Sequence, residues 1–216
     1  MKAVIISGLL SNISDNILPF LDKETDLFVH TWSTTENVRW IVKLNRYKKY
    51  CNSFHIEIEQ PKFDKKLYSY FYSTWRVVNL IKNIDQYDRI IKFKPNIETD
   101  KIRFVGDIDY YYDKASIQCR PLLNKINKEE CLFGPIYYKV MDERIFSGYP
   151  LAFKKAFHIL YDDLVYEMED LDLFLQAKYE PNYEGSIFWK EWADSRDVKF
   201  IQDLDLKIPN SKVWQR

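Results

Sequence analysis

The sequence predicts an α/β protein with a mainly parallel, mixed sheet flanked by helices. Short apolar runs alternate with segments of helical periodicity through the first half of the 216 residues. That alternation is typical of doubly wound, Rossmann-like sheets with right-handed crossovers. No repeat or low-complexity linker divides the chain, so we expect a single domain over residues 1–216.

Four strands are predicted in the first half, each a short apolar or alternating run: Ala3–Ser7, Asp26–His30, Phe54–Ile58 and Arg89–Phe93. A short helix over Asp15–Leu21 would connect the first two strands. A long helix from Asp64 to about Ile84 would connect the last two. Its apolar residues recur at three- and four-residue steps, at Leu67, Phe71, Trp75, Val78 and Ile81.

The second half has a different character. Residues 100–141 are rich in tyrosine and β-branched side chains, interrupted by Pro121 and Pro135, which predicts short mixed strands and loops. Two helices should follow Pro150, which suits a first-turn position. Their apolar stripes are Phe153, Phe157, Leu160 and Leu164, then Met168, Leu171 and Phe174 or Leu175. From Pro181 onward we expect a mostly irregular tail that packs its tryptophans on the body.

Composition excludes several classes of protein. Thirty-two basic residues balance 32 acidic ones, so no overall field would attract a polyanion, and a nucleic-acid partner is disfavoured. Three scattered cysteines, Cys51, Cys119 and Cys131, give neither a disulfide framework nor metal-ligand spacing, which fits a reducing compartment such as the cytoplasm. No run approaches the roughly 20 apolar residues of a transmembrane helix. Any membrane contact would therefore be peripheral.

The strongest candidate site is the end of the fourth predicted strand. Lys92, Lys94 and Asn96 alternate there and would share one face of an extended chain. Open α/β sheets bind ligands at the carboxyl ends of their strands, and two ammonium groups together suit a phosphate. The alternative is an edge strand with a solvated basic face. Since the sequence lacks a glycine-rich phosphate loop, a bound phosphate would be met by cations or a metal ion.

Three other residues, at two places in the chain, are candidate ligand contacts. Gly8 directly follows the first strand, where a glycine permits close backbone approach to a ligand or simply forms a turn. Ser73 and Arg76 lie on a face of the long helix that is offset from the apolar stripe. Arg76 would either reach a ligand from that face or remain solvated.

Two oxygen-rich pairs are candidate metal ligands. Asp107 and Asp109 form an Asp-x-Asp pair whose carboxylates share one face of an extended segment, and Asn96 and Glu98 have the same spacing. Hard oxygen ligands of this kind suit Mg²⁺ or Mn²⁺. A chance pair on a charged surface is the alternative for each.

Five segments, in this order, resemble small bacterial and phage glycosyltransferases of the GT-A fold, the kind involved in capsular or lipopolysaccharide assembly. They are Ile5–Gly8, Asp26–Trp32, Phe71–Arg76, Tyr87–Asn96 and Asp142–Gly148. The resemblance covers most of the chain. It implies a donor that is a nucleoside-diphosphate sugar, with uridine as the base, assisted by Mn²⁺ or Mg²⁺. It also implies a carbohydrate or lipid-linked acceptor, with residues 1–99 as the nucleotide-binding half and residues 100–216 as the acceptor-side half and C-terminal tail.

The resemblance assigns roles to particular residues. The family pattern at the fourth strand looks like Arg-x-Arg-Pro-Asp, which this chain matches with Lys92, Lys94, Pro95 and Asn96. Both cations are kept for the diphosphate, but the acid has become an amide, so Glu98, or Asp107 with Asp109, is implied as the metal carboxylate. The implied nucleotide pocket comprises Ser7, Gly8, Trp32, Ser73 and Arg76.

Asp142 matches the family's acid ahead of an aromatic-x-Gly segment. An inverting transferase would use it as general base for the acceptor hydroxyl, with Glu169 as a second candidate. A rival interpretation is a non-catalytic nucleotide- or sugar-binding module on the same fold, in which the amide at residue 96 reflects lost activity.

Overall fold

The computed structural model describes residues 1–10, 15–34, 37–95, 127–134, 136–137, 140–141, 145–179, 183 and 185–202. Its strands are β1 (Lys2–Ser7), β2 (Thr25–Trp32), β3 (Ser53–Glu59), β4 (Arg89–Phe93), β5 (Cys131–Gly134), β6 (Ile136–Tyr137), β7 (Val140–Met141), β8 (Ile145–Gly148) and β9 (Lys199–Gln202). Its helices are α1 (Asn37–Asn45), α2 (Lys66–Asn79), α3 (Pro150–Phe157), α4 (Tyr161–Tyr179) and α5 (Gly185–Ser195).

Seven of the described strands form one mixed sheet in the order β3-β2-β1-β4-β8-β5-β9. The first four are parallel, with Ile5 of β1 opposite Phe28 of β2 and Lys92 of β4. Strand β8 runs antiparallel between β4 and β5, and β9 is parallel to β5. Strands β6 and β7 pair separately. The predicted α/β class, with a mainly parallel mixed sheet and flanking helices, is confirmed.

Apolar layers cover both faces of the sheet, which explains the continuous apolar runs of its central strands. Every residue of β2 is buried. On one face α2, α3, α4 and α5 pack around an aromatic cluster that includes Phe71, Phe157 and Trp189. On the other face lie α1 and a 3-10 turn, Asp15–Phe20, where the sequence predicted an α-helix. Pro19, which has no N–H to donate, lies within that turn.

The helix boundaries differ from those predicted. Helix α2 ends at Asn79, and a separate 3-10 turn covers Ile84–Gln86. Helix α3 ends at Phe157 and α4 begins at Tyr161, so the apolar stripe that was predicted to continue through Leu160 is interrupted. The Leu160 side chain is 75% exposed. Helix α1 was not predicted at all.

The prediction of an irregular tail after Pro181 is wrong. Helix α5 carries the buried Trp189 and Trp192, and β9 joins the edge of the main sheet beside β5. The pairing of β9 with a strand more than 60 residues earlier is a non-local contact, which local sequence patterns do not carry. No helix in the described ranges is both long and apolar enough to cross a bilayer.

Candidate functional site

A cavity lies where the strand order reverses. The chain runs from β1 outward to β2 and β3, then crosses back through α2 to β4 on the other side of β1. Open α/β sheets bind ligands in the crevice at such a switch point, outside the carboxyl ends of the strands. The cavity there has a volume of about 400 Å³. It is lined by Ser7, Gly8, Leu9, Trp32, Thr34, Pro61, Phe63, Asp64, Lys66, Ser69, Tyr70 and Lys94.

Gly8 ends β1 at the floor of this cavity, in a conformation that favours glycine. Its φ is +103°, and a Cβ at this position would lie 3.2 Å from Cδ2 of Tyr70. Its N–H donates to Ser73 Oγ at 2.7 Å and to the carbonyl of His30 at 3.2 Å. Thr31 Oγ1 donates to the Gly8 carbonyl at 2.9 Å. The end of β1 is therefore fixed to both β2 and α2.

The two serines of the implied pocket are buried beneath it. Ser7 Oγ lies 2.8 Å from Thr74 Oγ1, and Ser73 Oγ is bonded to Gly8 and to His30. Neither side chain is exposed to solvent. Ser7 still lines the cavity, whereas Ser73 supports it from α2.

Aromatic rings form one wall of the cavity. Trp32, at the end of β2, stacks on Tyr72 of α2 with ring centroids 5.6 Å apart and meets His30 edge-on. Phe63, in the loop before α2, packs on Tyr72 at 5.5 Å. Two of these rings, Trp32 and Phe63, line the cavity, and aromatic side chains there suit the face of a nucleobase or a sugar ring.

The two lysines of β4 have different positions. Lys94 lines the cavity, with its Nζ 4.8 Å from the Tyr70 ring centroid. Lys92 is fully buried below: its Nζ donates to the Tyr70 hydroxyl and lies 5.2 Å from the ring centroids of both Phe146 and Trp189. The sequence predicts that both lysines contact a bound phosphate or stabilise it electrostatically. The structure places only Lys94 in the lining, because Tyr70 lies over Lys92.

The first turn of α2 adds positive potential to the cavity. No side chain caps this end, and the described first turn carries no acidic residue. Lys66, its first residue, lines the cavity together with Lys94. The positive end of the helix dipole and the two lysines therefore contribute positive potential to a cavity that the acidic residue Asp64 also lines, which favours an anion beside the lysines.

Arg76 does not line the cavity. Its guanidinium forms ion pairs with Glu57 at 2.6 Å and Glu59 at 3.3 Å, both on the edge strand β3. These ion pairs hold the pKa of Arg76 above its usual value, and the main cause is the hydrogen bond that Arg76 donates to Glu57. The predicted ligand contact at Arg76 is replaced in the structure by a link between α2 and β3.

His30 lies beside this link, completely buried on β2. Its Nδ1 is 2.8 Å from Ser73 Oγ, and its Nε2 is 3.7 Å from Glu59 Oε2. Burial lowers the pKa of His30 to about 4 despite the Glu59 carboxylate. The imidazole is therefore neutral at pH 7.

A second polar cluster anchors the start of α2. Asp172 of α4 accepts hydrogen bonds from Lys65, Tyr68, Gln176 and Tyr183. Burial opposes its ionisation, but the hydrogen bonds from Lys65, Tyr183 and Tyr68 outweigh that effect and lower the pKa of Asp172. Glu169, the second candidate base, is exposed on the same helix and does not line the cavity.

Several predicted site residues lie outside the described residues: Asn96, Glu98, Asp107, Asp109 and Asp142. Their metal and catalytic roles stay predictions. Several lining residues were missed by the sequence-based predictions, among them Lys66 and Tyr70. Their spacing of four residues at the start of a helix places them on one face, and this is the signal that would have indicated them.

Comparison with solved structures finds several that resemble this chain. The apo form of the glycosyltransferase GlyE from Streptococcus pneumoniae TIGR4 is 8% identical and matches 94% of this chain and 45% of its own, with a TM-score of 0.51. A second GlyE structure is 6% identical, with 93% and 45% coverage and a TM-score of 0.49. Mouse xyloside xylosyltransferase 1 in its apo form is 9% identical, with 94% and 85% coverage and a TM-score of 0.41.

The chain has the fold of GlyE. It spans less than half of the GlyE chain that it matches, so the likeness is one of architecture. No family model and no curated protein matches the sequence.

Proposed function

We propose that this protein is a glycosyltransferase that transfers a sugar from a nucleoside-diphosphate sugar, with UDP as the leaving group, to a carbohydrate or lipid-linked acceptor. One observation carries the proposal. The cavity at the switch point between β1 and β4 combines the aromatic residues Trp32 and Phe63 with Lys94, Lys66 and the positive end of α2. The fold shared with the glycosyltransferase GlyE supports it.

The chemistry of sugar transfer explains why this combination is needed. Cleavage of the bond between sugar and diphosphate places negative charge on the departing diphosphate. Lys94 and Lys66 are positioned to stabilise that charge, and Trp32 and Phe63 offer faces for the nucleobase or the sugar. Preorganised cations lower the barrier because they do not reorient during the reaction.

The remaining parts of the proposal come from the sequence. A divalent ion, Mn²⁺ or Mg²⁺, would bind carboxylates among Glu98, Asp107 and Asp109, and it would supply further positive charge at the diphosphate. Asp142 would accept the proton of the acceptor hydroxyl. The resemblance to capsular and lipopolysaccharide enzymes places the acceptor in polysaccharide biosynthesis. Two free, buried cysteines, Cys51 and Cys131, fit a cytoplasmic protein.

Two measurements test the proposal together. Thermal shift with a panel of nucleotide sugars, with and without Mn²⁺, should reveal a stabilising uridine ligand, because a ligand that binds the folded state raises its stability. Slow release of UDP from the same donor without acceptor would then indicate transfer chemistry. Binding without release would support the non-catalytic module. No binding to any nucleotide would overturn both.

Asp142→Asn tests the proposed base. It should leave UDP affinity nearly unchanged and reduce turnover by about 10²- to 10⁴-fold, the usual contribution of a general base. Glu169→Gln, on the exposed face of α4, is the matched control and should keep turnover. A normal rate for Asp142→Asn together with a loss for Glu169→Gln would reverse the assignment.

A further inference from the structure

The ion-paired cluster at the edge of the sheet contains buried polar atoms without hydrogen-bond partners. Within the described residues, His30 Nε2 and Glu57 Oε2 are both shielded from solvent, and neither has a partner. One donor atom each from His30, Glu57 and Glu59 lies within 4.8 Å of the other two. Buried polar atoms in folded proteins are nearly always satisfied, so such a group of atoms requires an explanation.

The hydrogen bonds of His30 indicate which atom faces the carboxylates. His30 Nδ1 lies 2.8 Å from Ser73 Oγ, so this nitrogen is engaged with α2. The other ring nitrogen, Nε2, faces Glu59 Oε2 at 3.7 Å, which is too long for a hydrogen bond. In the Nδ1–H tautomer, Nε2 carries a lone pair that a metal ion can bind.

Arg76 accounts for only part of the carboxylate charge. It contacts Oε1 of Glu57 and Oε1 of Glu59. Glu57 Oε2 has no hydrogen-bond partner. Glu59 Oε2 accepts a hydrogen bond from the Tyr72 hydroxyl at 2.8 Å and forms an ion pair with Lys62 at 3.1 Å. In metal sites, donors on the outer oxygens of the ligating carboxylates hold them in orientation. Arg76 is placed to act in that way.

We propose that His30, Glu57 and Glu59 form a divalent metal site of the one-histidine, two-carboxylate type, with Zn²⁺ as the ion that fits best. Zn²⁺ accepts imidazole nitrogen together with carboxylate oxygen, whereas Mg²⁺ prefers oxygen ligands alone. The side chains of Glu57 and Glu59 are 25% and 18% exposed, which leaves a path from solvent at the edge of the sheet. The site has different ligands from Glu98, Asp107 and Asp109, which the sequence predicts for the donor-binding metal. It does not depend on the proposed function.

The geometry has a direct chemical basis. Zinc–ligand distances near 2.0–2.2 Å would draw the three donor atoms closer together than 4.8 Å. Movement of the Glu57 side chain, which is partly exposed, supplies that adjustment. The bound ion would join β2 to the edge strand β3 beneath Trp32.

The experiment is calorimetric titration of ZnCl₂ into the full chain after treatment with a chelator. We expect one saturable site, and we expect Glu57→Gln, an isosteric change at a partly exposed position, to weaken it at least about tenfold. His55→Asn removes the exposed histidine of the same strand and is the matched control for adventitious binding. It should bind Zn²⁺ as the wild type does.

A second variant tests the buried metal-ligating residue, His30. His30→Gln should also lose the site, with circular dichroism to show that the variant is folded. If it does not fold, Glu57→Gln and Glu59→Gln decide the matter, since neither side chain is fully buried. Absence of saturable Zn²⁺ binding to the wild type would overturn the proposal. Binding that both glutamate variants retain within about twofold would overturn it as well.

Discussion

Two carboxylate clusters contact α2, and they differ in how completely their polar atoms are satisfied. At the start of the helix, the single carboxylate of Asp172 receives four hydrogen-bond donors. At the edge of the sheet, two carboxylates and a histidine share fewer donors, and three buried atoms of the described cluster, His30 Nε2, Glu57 Oε2 and Arg76 Nε, have no hydrogen-bond partner. The first cluster is a completed structural anchor. The second retains unused binding capacity, which is the property expected of a ligand site.

The anchor also positions the candidate donor site. Asp172 binds Lys65 and Tyr68 on either side of Lys66, which lines the cavity. The rigid start of α2 holds Lys66 and Tyr70 at the switch point. Catalytic and binding groups act most effectively when such surrounding contacts fix their geometry. The comparison therefore separates residues that stabilise the site from residues that contact a ligand.

The largest expected effect is the loss of the anchor. Asp172→Ala should lower the free energy of unfolding by about 3 kcal/mol, because it leaves several partly buried donors without an acceptor. Glu57→Ala, at the incompletely satisfied cluster, should cost less than about 1 kcal/mol, since that side chain is partly exposed and its ion pair is screened. Urea denaturation at pH 7 measures both. Equal losses would remove the distinction between the two clusters.

The next effect concerns the two lysines of β4. Lys94→Ala should weaken UDP binding by about 2 kcal/mol, the scale of a hydrogen bond to a charged group, without changing stability. Lys92→Met removes a buried amine that contacts Tyr70 and should weaken binding less, because Lys92 acts only through that ring. Calorimetry with UDP distinguishes them. A larger loss for Lys92→Met would show that the buried lysine reaches the ligand.

A smaller effect is expected at the floor of the cavity. Gly8→Ala should cost about 1–2 kcal/mol of stability, because alanine is strained at a φ of +103° and its Cβ would press on Tyr70. UDP affinity should fall as the Tyr70 ring shifts. Ala3→Gly, at a buried position of the same strand, controls for a general weakening of β1. An unchanged melting temperature for Gly8→Ala would contradict the strain argument.

The smallest effect is a dependence on pH. The pKa of Asp172 is lower in the folded protein than its ordinary value of 3.8. The ionised form therefore contributes stability above about pH 4, and this contribution disappears as the pH falls through the lowered folded value. The stability difference between the wild type and Asp172→Asn should shrink below pH 4. A difference that stays constant down to pH 2 would show that charge has no part in the anchor.

Local patterns in the sequence were sufficient for the parallel half of the fold. The strands at residues 3–7, 26–30, 54–58 and 89–93 lie within the observed β1 to β4. The apolar runs of β1, β2 and β4 are buried on both faces of a covered sheet, whereas β3 is a partly exposed edge strand with an alternating pattern. The same patterns placed Gly8 and Lys94 at the carboxyl edge, and the family resemblance placed Trp32 there. These residues line the cavity, since strand ends of a parallel sheet meet at one edge.

Only the tertiary structure decided what the other polar residues do. Lys92 and Lys94 have the same charge and share a face in an extended chain, yet Tyr70 from a distant helix covers one and leaves the other in the cavity. Arg76 turned toward Glu57 and Glu59 because β3 lies beside α2, a neighbour that helical periodicity does not specify. The sequence by itself determined the parallel strands and the edge of the sheet at which they end. The burial of Lys92 and the ion pairs of Arg76 depend on residues from distant segments of the chain, and local sequence patterns do not specify such non-local contacts.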